Sequence, residues 1–399
     1  MNPPRKVPWA VKESFKKELD RLVNLGVLLK VSEPTAWVSN CVRVVKPNKV
    51  RICIDPSDLN KALKRNHYPM PTIDDVANKL KGAKFFSKFD VKDGFLHMEL
   101  DEESSQLTCF NSCFGRFRWT RCPFGVSVVP EEYQRRQDEL LEGLDGEFAV
   151  MDDTIIAGFG ETDEEAEKDH DAKVVSFLNR CRESGIRLRR DKVVFKKRPG
   201  NFVGHEVTAN GLKPDTSKLR SLREVPAPTD KAGVRRLLGF VNYLGKFTPN
   251  LSSIMAPVRE LLKYNVEFRW EAEQESAFQK VKELLCKNVS LAHFDQTKSL
   301  TLQVDAAQHG LGCAVLQEGL VIGYASRSLT HAESRYSQIE KELLAVVFGL
   351  EKFHHFTYGR LVHVESDHKP LQSILQRALH EVTARSSAWF SDSGITTMN

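Results

Sequence analysis

The first readable pattern is an amphipathic helix near the start of the chain. Phe15, Leu19, Leu22 and Val23 follow the i, i+4, i+7, i+8 spacing that places side chains on one face of an α-helix. Gly26 follows as a C-terminal stop signal. The pattern predicts a helix that buries one stripe and ends before residue 26.

Two β-rich runs come next, at residues 41–45 and 50–54, and they are joined around Pro47 and Asn48. They predict a hairpin with basic residues at its tip and edges. Between residues 84 and 158, short apolar strands alternate with one helix at about 127–142, and a long charged helix is expected at 161–184. This order indicates a mixed α/β core.

The composition shifts at Pro226 and Pro228, where one unit is expected to end. Thr229 is the predicted N-cap of the next helix, and residues 230–290 are mostly helical. One apolar face of this helical segment consists of Leu237, Leu238, Val241, Leu244 and Phe247.

The last third of the chain returns to strands. We expect a strand at residues 300–304, a hairpin at 314–322 around Glu318 and Gly319, a helix at about 335–354 and a strand at 361–365. That βββαβ order predicts a second compact α/β domain.

Composition narrows the class of protein. With 399 residues, 41% of them hydrophobic and 28% charged, the chain has room for two or three globular domains. No apolar run is long enough to cross a membrane, and residues 1–6 do not resemble a signal peptide. We therefore expect an intracellular protein that is neither secreted nor membrane-bound, whose eight cysteines are reduced thiols.

The net charge of +5 is mild, but basic residues cluster at 187–192, 196–198 and 235–236. Such clusters fit a track for a phosphate backbone. Solvated faces of helices and strands explain them equally well.

Two adjacent carboxylates, Asp152 and Asp153, lie between the apolar runs 148–151 and 154–157. A tight turn would bring both out of one hairpin tip, where like charges repel unless a cation or strong donors compensate them. Mg²⁺ is the leading candidate for that cation. A solvated acidic turn is the alternative.

A third carboxylate, Asp90, ends the aromatic-rich segment 85–90. With it, the chain resembles the reverse transcriptase plus ribonuclease H region of gypsy-class long-terminal-repeat retrotransposon polyproteins. The resemblance covers roughly residues 4–375 and consists of motifs in a fixed order: VRICIDPSDL at 50–59, FSKFDVKDGFLHMEL at 86–100, TCFNSCFGRFRWTRCPFG at 108–125, VMDDTIIAG at 150–158, FVGHEVTANG at 202–211, RLLGFVNYLGKFTPNL at 236–251, and residues 324–360.

The resemblance implies that Asp90, Asp152 and Asp153 are the palm carboxylates of a polymerase. They would hold two Mg²⁺ or Mn²⁺ ions, one activating the primer 3′-hydroxyl and the other neutralising the leaving pyrophosphate. Phe95 resembles the aromatic gate that excludes a ribose 2′-hydroxyl, and a plain core aromatic is its alternative.

Further residues match the nucleotide site of the family. Arg51 is similar to the arginine that grips the triphosphate, and Lys46 or Lys49 to its lysine partner. Phe124 lies in the loop that floors the nucleotide pocket, and Lys192 matches a lysine near the incoming phosphates. Residues 202–205 resemble the hairpin that positions the primer end, although His205 also reads as an ordinary surface histidine.

The resemblance implies a second acidic site in the last domain, formed by Asp305, Glu342 and Asp367. In a ribonuclease H-like fold, three such residues hold two metal ions that activate water against the RNA strand of a hybrid. Glu340 is the rival for the helical position, and we prefer Glu342 because it lies beside the apolar stripe. His368 is assigned to the rim of this site, with a structural histidine as the alternative.

The implied architecture is a right-hand polymerase followed by a helical connection and a ribonuclease H-like domain. We expect fingers and palm at residues 1–225, a helical thumb or connection at 226–295, and the ribonuclease H-like domain at 296–399. The implied activity is RNA-directed DNA synthesis from deoxynucleoside triphosphates on an RNA template and a DNA primer, with cleavage of RNA in RNA:DNA hybrids. The sequence does not define the oligomeric state.

Two departures from the family pattern carry expectations of their own. Val150 stands where the family usually has tyrosine, so positioning of primer and nucleotide is expected to differ while metal binding is retained. After about residue 376 the pattern stops, which reads as a truncated domain in a fragment or decayed copy of a longer polyprotein. The alternatives are a catalytically decayed relic that only binds nucleic acid, and a two-carboxylate hydrolase.

Overall fold

A computed structural model of the chain describes residues 5–46, 49–286 and 290–367. These residues form two compact units. The first contains the chain up to Val76 together with Ala83–Val203, and the second contains Ala77–Gly82 and the chain from Gly204 onward. Helix α3 (Ile73–Lys79) begins in the first unit and ends in the second.

The first unit is a mixed α/β structure with two sheets. Its other helices are α1 (Trp9–Asn24), α2 (Ser57–Ala62), α4 (Glu102–Leu107), α5 (Val129–Leu141) and α6 (Asp163–Glu183). Its strands are β1 (Leu28–Val31), β2 (Ser39–Lys46), β3 (Lys49–Asp55), β4 (Phe85–Asp90), β5 (Phe110–Ser112), β6 (Gly115–Trp119), β7 (Glu147–Val150), β8 (Asp153–Gly158), β9 (Val194–Lys197) and β10 (Gly200–Phe202).

The five-stranded sheet of this unit has the order β1-β6-β5-β2-β3. Helix α1 buries Phe15, Leu19 and Leu22 in the same core as Trp119. The helix ends at Asn24, and Gly26 adopts a positive φ of 69°, which glycine adopts without steric cost. The predicted first helix and the predicted β2–β3 hairpin are both confirmed.

The second sheet of the first unit has the order β7-β8-β4-β9. Helix α6 covers its back, where Phe177 packs against Phe89 with ring centroids 5.2 Å apart. The two helices predicted at about 127–142 and 161–184 are confirmed as α5 and α6. Strand β4 lies in the interior of this sheet, and Asp90 is its last residue.

A chain of polar side chains crosses the back of this sheet, buried at Ser87 and His170 and partly exposed at Asp171. Ser87 Oγ lies 2.8 Å from His170 Nε2, and His170 Nδ1 lies 2.9 Å from a carboxylate oxygen of Asp171. The backbone N–H of Lys196 also donates to Ser87 Oγ, at 3.0 Å. Ser87 and His170 are fully buried, so this serine–histidine–aspartate set has no opening to a substrate and serves as a structural link between β4, α6 and β9.

The second unit begins with a small sheet and a group of helices. Its first strands are β11 (His205–Thr208), β12 (Gly211–Pro214) and β13 (Leu291–Ala292), with β12 paired to both neighbours. The helices are α7 (Thr216–Glu224), α8 (Lys231–Tyr243), α9 (Leu251–Ile254), α10 (Ala256–Glu260) and α11 (Ala272–Cys286). The predicted apolar face of the segment is buried at every position: Leu237, Leu238, Val241, Leu244 and Phe247.

The connection at Pro226 and Pro228 joins two helices that share one hydrophobic core. Leu222 of α7 and Val234 of α8 both lie in that core. The N-cap of α8 is Asp230, whose side chain accepts from the N–H of Gly233, so the prediction of Thr229 as the cap was wrong by one residue. The functional boundaries at residues 225 and 295 stay a prediction, because compactness divides the chain after Val203.

The second unit ends in the predicted βββαβ domain. Its elements are β14 (Leu300–Ala307), β15 (Gly310–Gln317), β16 (Leu320–Ser328), α12 (Gln338–Lys352), α13 (His354–Thr357) and β17 (Val362–Glu365). The sheet order is β16-β15-β14-β17, with β17 parallel to β14 and the other pairs antiparallel. One core fills the space between this sheet and α12.

The cysteines agree with the expectation from the sequence. All eight are free thiols, and Cys41, Cys109, Cys122, Cys181 and Cys313 are buried. Within the described part of the chain, no helix is long and apolar enough to span a lipid bilayer.

Candidate active sites

The adjacent aspartates lie at the β7–β8 hairpin. Val150 pairs with Asp153, so only Met151 and Asp152 form the turn, and Met151 adopts a positive φ of 56°. The buried side chain of Gln134 on α5 holds this turn: its Oε1 accepts from Met151 N at 2.8 Å, and its Nε2 donates to Ala149 O at 3.0 Å. One amide side chain therefore fixes an otherwise unfavourable turn.

The third aspartate reaches the same place through strand pairing. Asp90 is directly opposite Asp153 in the antiparallel β4–β8 ladder, and directly opposite residues present their side chains on the same face. The N–H of Val91 donates to Asp152 O at 2.9 Å, which ties the end of β4 to the turn. The structure thus places Asp90, Asp152 and Asp153 at the adjoining ends of β4 and β8.

Gly94 leaves room for the Asp152 carboxylate. A Cβ at this position would lie 2.3 Å from Asp152 Oδ1 and 2.6 Å from the hydroxyl oxygen of Tyr133. Tyr133 is buried, and its oxygen accepts a hydrogen bond from Gln137 at 2.7 Å. The carboxylate and the phenol therefore both crowd the Cα of Gly94.

The electrostatics of the turn favour a bound cation. Burial raises the pKa of Asp152, and the neighbouring Asp90 and Asp153 carboxylates raise it further, whereas Arg51 and Lys192 act in the opposite direction. Asp152 Oδ1 is buried and has no hydrogen-bond partner. A buried carboxylate oxygen without a partner is energetically costly, and a hard divalent cation is a suitable partner for it.

Basic side chains surround the other two aspartates. Lys192 Nζ lies 2.6 Å from Asp90 Oδ2, and Lys88 Nζ lies 2.8 Å from Asp153 Oδ2. Arg189 Nε approaches Asp90 Oδ1 to 3.0 Å as an ion pair, although its angle does not make a hydrogen bond. Of these three cations only Lys192 was predicted as a site residue.

Three of the predicted nucleotide-site residues pack on one another: Arg51, Phe124 and Phe95. The Arg51 guanidinium lies 4.6 Å from the Phe124 ring centroid, and the Phe124 ring lies 5.0 Å from that of Phe95. Phe95 is buried and also packs against Tyr133 at 5.3 Å. The gate and core roles weighed for Phe95 both remain compatible with this position.

The loop that carries Phe124 is fixed by a residue that the sequence did not single out. Asn60 Nδ2 donates to Gly125 O at 3.0 Å, and Asn60 Oδ1 accepts from Ser127 N at 2.9 Å. Gly125 has a φ of 116°, and a Cβ there would lie 2.1 Å from Ile54 O. The side chains of Lys46 and Lys49 lie outside the described residues, so the choice between them stays open.

The second group of acidic residues comes from β14, α12 and the end of β17. Asp305 lies on β14, Glu342 is buried on α12, and Asp367 follows β17. Burial raises the pKa of Glu342, and the nearby Asp367 carboxylate also raises it. A cavity of about 350 Å³ is lined by Asp305, Glu365 and Asp367.

The two candidate glutamates of α12 have different surroundings. Glu340 forms a capping box with Ser337 at the start of the helix. Glu342 accepts from Gln338 Nε2 at 3.0 Å and from Ser366 Oγ at 3.2 Å, and Gln338 also donates to Ala306 O at 2.7 Å. The geometry favours Glu342 for the site, and His368 lies outside the described residues.

Neither acidic group is a preformed metal cage. Across the described ranges 5–46, 49–286 and 290–367, no three Asp, Glu, His or Cys side chains are grouped closely enough to hold one ion. The donor chemistry nevertheless fits a divalent cation, because the first site gathers hard carboxylate oxygens around one that has no partner.

Two residues from the basic cluster at 196–198 form ion pairs within the protein. Lys196 Nζ lies 2.8 Å from both Glu167 and Asp171, and Arg198 pairs with Asp163 at 2.9 Å. These two side chains are therefore bound to α6 as ordinary ion pairs. His205 is buried and packs on Tyr243 with ring centroids 5.2 Å apart, so its interpretation as a surface histidine was wrong.

Sequence reasoning missed three residues around the aspartates, Gln134, Gly94 and Arg189, and also Asn60, which fixes the Phe124 loop. Glycine in FDVKDGF was a visible signal for a close approach, but its partner is some 60 positions away. Gln134 and Asn60 carry no local signal, because a polar residue in a helix reads as exposed until the sheet against it is known.

This fold and these acidic residues define a class of protein: a polymerase-type palm followed by a ribonuclease H-like domain. Residues 43–207 match the family model described as reverse transcriptase (RNA-dependent DNA polymerase). Residues 270–364 match the one described as the RNase H-like domain found in reverse transcriptase.

Three proteins that are similar to most of this chain are polyproteins. The Pol polyprotein of Drosophila melanogaster transposon 412 is 32% identical over 370 residues, which is 89% of this chain and 29% of that polyprotein. That of transposon 297 is 31% identical over 93% of this chain and 35% of its own length. The enzymatic polyprotein of cauliflower mosaic virus (strain Strasbourg) is 31% identical over 86% of this chain and 51% of its own length.

Solved structures show the same fold. The foamy viral protease-reverse transcriptase in complex with an RNA/DNA hybrid superposes with a TM-score of 0.85 at 22% identity, covering 100% of this chain and 54% of that one. A second foamy viral structure, in complex with double-stranded DNA, gives 0.84 at 20% identity, covering 100% of this chain and 70% of that one.

The chain therefore contains a reverse transcriptase domain and an RNase H-like domain of the kind found in reverse transcriptases, and over most of its length it is similar to the Pol polyproteins of the Drosophila transposons 412, 297 and gypsy. The resemblance stated from the sequence is thereby confirmed, as is the fold class. The chain spans about a third to a half of the length of the relatives named above.

Proposed function

We propose that this chain is an RNA-directed DNA polymerase with an attached RNase H-like nuclease. It would extend a DNA primer on an RNA or DNA template from deoxynucleoside triphosphates, and cleave RNA in RNA:DNA hybrids. The convergence of Asp90, Asp152 and Asp153 at the adjoining ends of β4 and β8 carries the proposal, because like charges directly opposite each other on a sheet are destabilising unless cations compensate them.

Asp90, Asp152 and Asp153 would hold Mg²⁺ or Mn²⁺. When bound, a pair of such ions supplies activation of a hydroxyl nucleophile and neutralisation of a leaving pyrophosphate. Lys192 and Arg189 pair with Asp90 here, and Lys192 would become available to phosphate oxygens once the carboxylate has a metal partner, whereas Arg189 also donates to Asp93. Arg51 contributes a bidentate donor from β3 and is stacked on Phe124, which limits its rotation.

In the second site, Asp305, Glu342 and Asp367 would play the corresponding roles toward water and the RNA strand. Gln338 and Ser366 orient Glu342 through both carboxylate oxygens. The nucleic-acid partners are supported by the foamy viral structures, whose titles name double-stranded DNA and an RNA/DNA hybrid. We place the activity inside a cell or a virus-like particle.

Primer extension by the purified chain tests the polymerase. We expect Mg²⁺- or Mn²⁺-dependent incorporation on an RNA template, lost in Asp152→Asn/Asp153→Asn and retained in Asp145→Asn, the same chemical change at an exposed position nearby. Equal and negligible incorporation by wild type and the double variant would instead favour the decayed relic that only binds nucleic acid.

Cleavage of the RNA strand in a labelled hybrid tests the nuclease separately. Glu342→Gln should abolish cleavage, whereas Glu351→Gln, on an exposed face of the same helix, should not. Cleavage that survives Glu342→Gln, or that is absent from the folded wild type, would remove the nuclease from the proposal and leave the polymerase standing.

A further inference from the structure

One side chain from the helical segment enters the second acidic site. Asn250 Nδ2 donates to Asp305 Oδ2 at 2.7 Å, and both residues line the cavity that also contains Asp367. Asn250 belongs to the segment before α9, more than 50 positions upstream of the acids. It lies outside residues 270–364, which match the RNase H-like family model.

Three features of the surroundings fit the contact between the Asn250 amide and Asp305. Asn250 adopts a positive φ of 50°, a conformation that asparagine tolerates better than most residues. It is the N-cap residue of α9, yet its side chain makes no capping hydrogen bond. Gly312, opposite Asp305 on β15, must lack a side chain, because a Cβ there would lie 1.9 Å from Asn250 Oδ1.

The segment that carries Asn250 is anchored to the same sheet. The N–H of Ser252 donates to Ser326 Oγ on β16 at 3.0 Å, and Arg259 donates to Ser328 Oγ. At Gly310, an added Cβ would lie 2.8 Å from Ser253 Oγ, so the strand and the segment are in close contact. These contacts hold the amide of Asn250 at a fixed position relative to β14.

The alternative is a purely structural role, in which Asn250 only ends a loop and begins α9. That role would use its side chain as a cap, and Gly312 would then have no reason to be glycine. The observed contact instead directs the amide nitrogen of Asn250 onto a carboxylate that the family resemblance assigns to catalysis.

We propose that Asn250 is a positioning residue for Asp305. Its amide occupies one lone pair of Oδ2 and fixes the rotation of the carboxylate, so that the remaining lone pairs face the cavity. Residues 249–259 are then a working part of the nuclease site. This inference rests on the proposed nuclease function.

The decisive variant is Asn250→Gly, which removes the amide without straining a positive φ. Asn250→Asp keeps the size but replaces the donor with a like charge, and Asn265→Gly is the matched control, the same chemical change as Asn250→Gly at an exposed position of the helical segment. Each is compared with wild type and Asp305→Asn in three measurements on the full chain: cleavage of hybrid RNA, DNA synthesis, and Mn²⁺ affinity by calorimetry.

We expect Asn250→Gly to lower hybrid cleavage about 10- to 100-fold, the range seen when partners of metal ligands are removed. The Mn²⁺ concentration for half-maximal cleavage should rise, and the calorimetric affinity should fall, while DNA synthesis and the melting temperature stay close to wild type. Asn250→Asp should lose at least as much hybrid cleavage, and Asn265→Gly should lose none.

Two failures can be told apart. Cleavage that survives Asp305→Asn overturns the proposed nuclease site itself. Cleavage that is lost in Asp305→Asn but retained within twofold in Asn250→Gly, with unchanged Mn²⁺ dependence, overturns only the role of Asn250. If the wild type cleaves no RNA, the proposed function fails, and an unchanged Mn²⁺ affinity in Asn250→Gly then overturns the positioning role as well.

Discussion

Adding one methyl group at Gly94 should disable DNA synthesis without unfolding the protein. The Cβ of Gly94→Ala would lie 2.3 Å from Asp152 Oδ1, 2.6 Å from the Tyr133 hydroxyl and 2.8 Å from Tyr133 Cζ. Since carbon contacts are ordinarily about 3.5–4.0 Å, a neighbouring group must retreat by roughly 1 Å.

Asp152 is the group that must move. Tyr133 is 2% exposed, is packed against Phe95 and is hydrogen-bonded to Gln137, whereas the hydrogen bonds from Gln134 and from the N–H of Val91 hold the backbone of the Asp152 turn and not its side chain. Overpacking of this kind costs about 1–3 kcal/mol of folding free energy. A displacement of about 1 Å at a reacting centre costs on the order of 100-fold in rate, or roughly 2.7 kcal/mol in the barrier.

Single-turnover primer extension measures the loss, and hybrid cleavage by the same preparation reports on the integrity of the other site. We expect kcat for incorporation to fall about 100-fold and cleavage to be unchanged. Gly239→Ala is the matched control, because a Cβ at that helical glycine meets no atom within 4 Å. Incorporation by Gly94→Ala within threefold of wild type would refute the argument from crowding.

Three further variants probe the supports of the two sites. Gln134→Ala leaves Met151 N and Ala149 O without their partner, so chemical denaturation should show a loss of about 1–3 kcal/mol, accompanied by weaker synthesis. Glu147 is buried with its pKa raised to about 7, so its contribution to stability is complete below about pH 4.5 and is lost as the pH rises toward 7. Glu147→Gln should therefore flatten that part of the stability curve and raise the melting temperature at pH 8; an unchanged slope would contradict the raised pKa. Glu340→Ala should cost about 1 kcal/mol by removing the acceptor of the capping box and should retain hybrid cleavage, whereas loss of cleavage there would reverse the choice of Glu342.

The local sequence pattern was sufficient to predict helices and strands and to single out the acidic residues that lie beside them. The spacing of Phe15, Leu19 and Leu22 predicted α1, and the apolar runs around Asp152 predicted the β7–β8 hairpin. These signals are local because helix and strand periodicity is written within a dozen residues. The resemblance to a family then supplied the roles of the acids.

What the sequence could not show are contacts between distant positions. The alignment of Asp90 with Asp153 depends on sheet order, and residues 63 positions apart carry no local record of their pairing. Gln134 was invisible for the same reason, as was Asn250. Lys196 and Arg198 were open to a role with phosphates until α6 was seen to supply their carboxylates.

The link from Ser87 to His170 and Asp171 has a consequence for how β4 folds into place. A slip of β4 by one residue would turn Ser87 away from His170 and the N–H of Lys196, leaving buried polar groups without partners. The same slip would carry Asp90 away from Asp153. The hydrogen bonds on the back of the sheet therefore fix the strand register that aligns the aspartates at its front. A misaligned β4 would lose those bonds during folding, whether or not substrate is present.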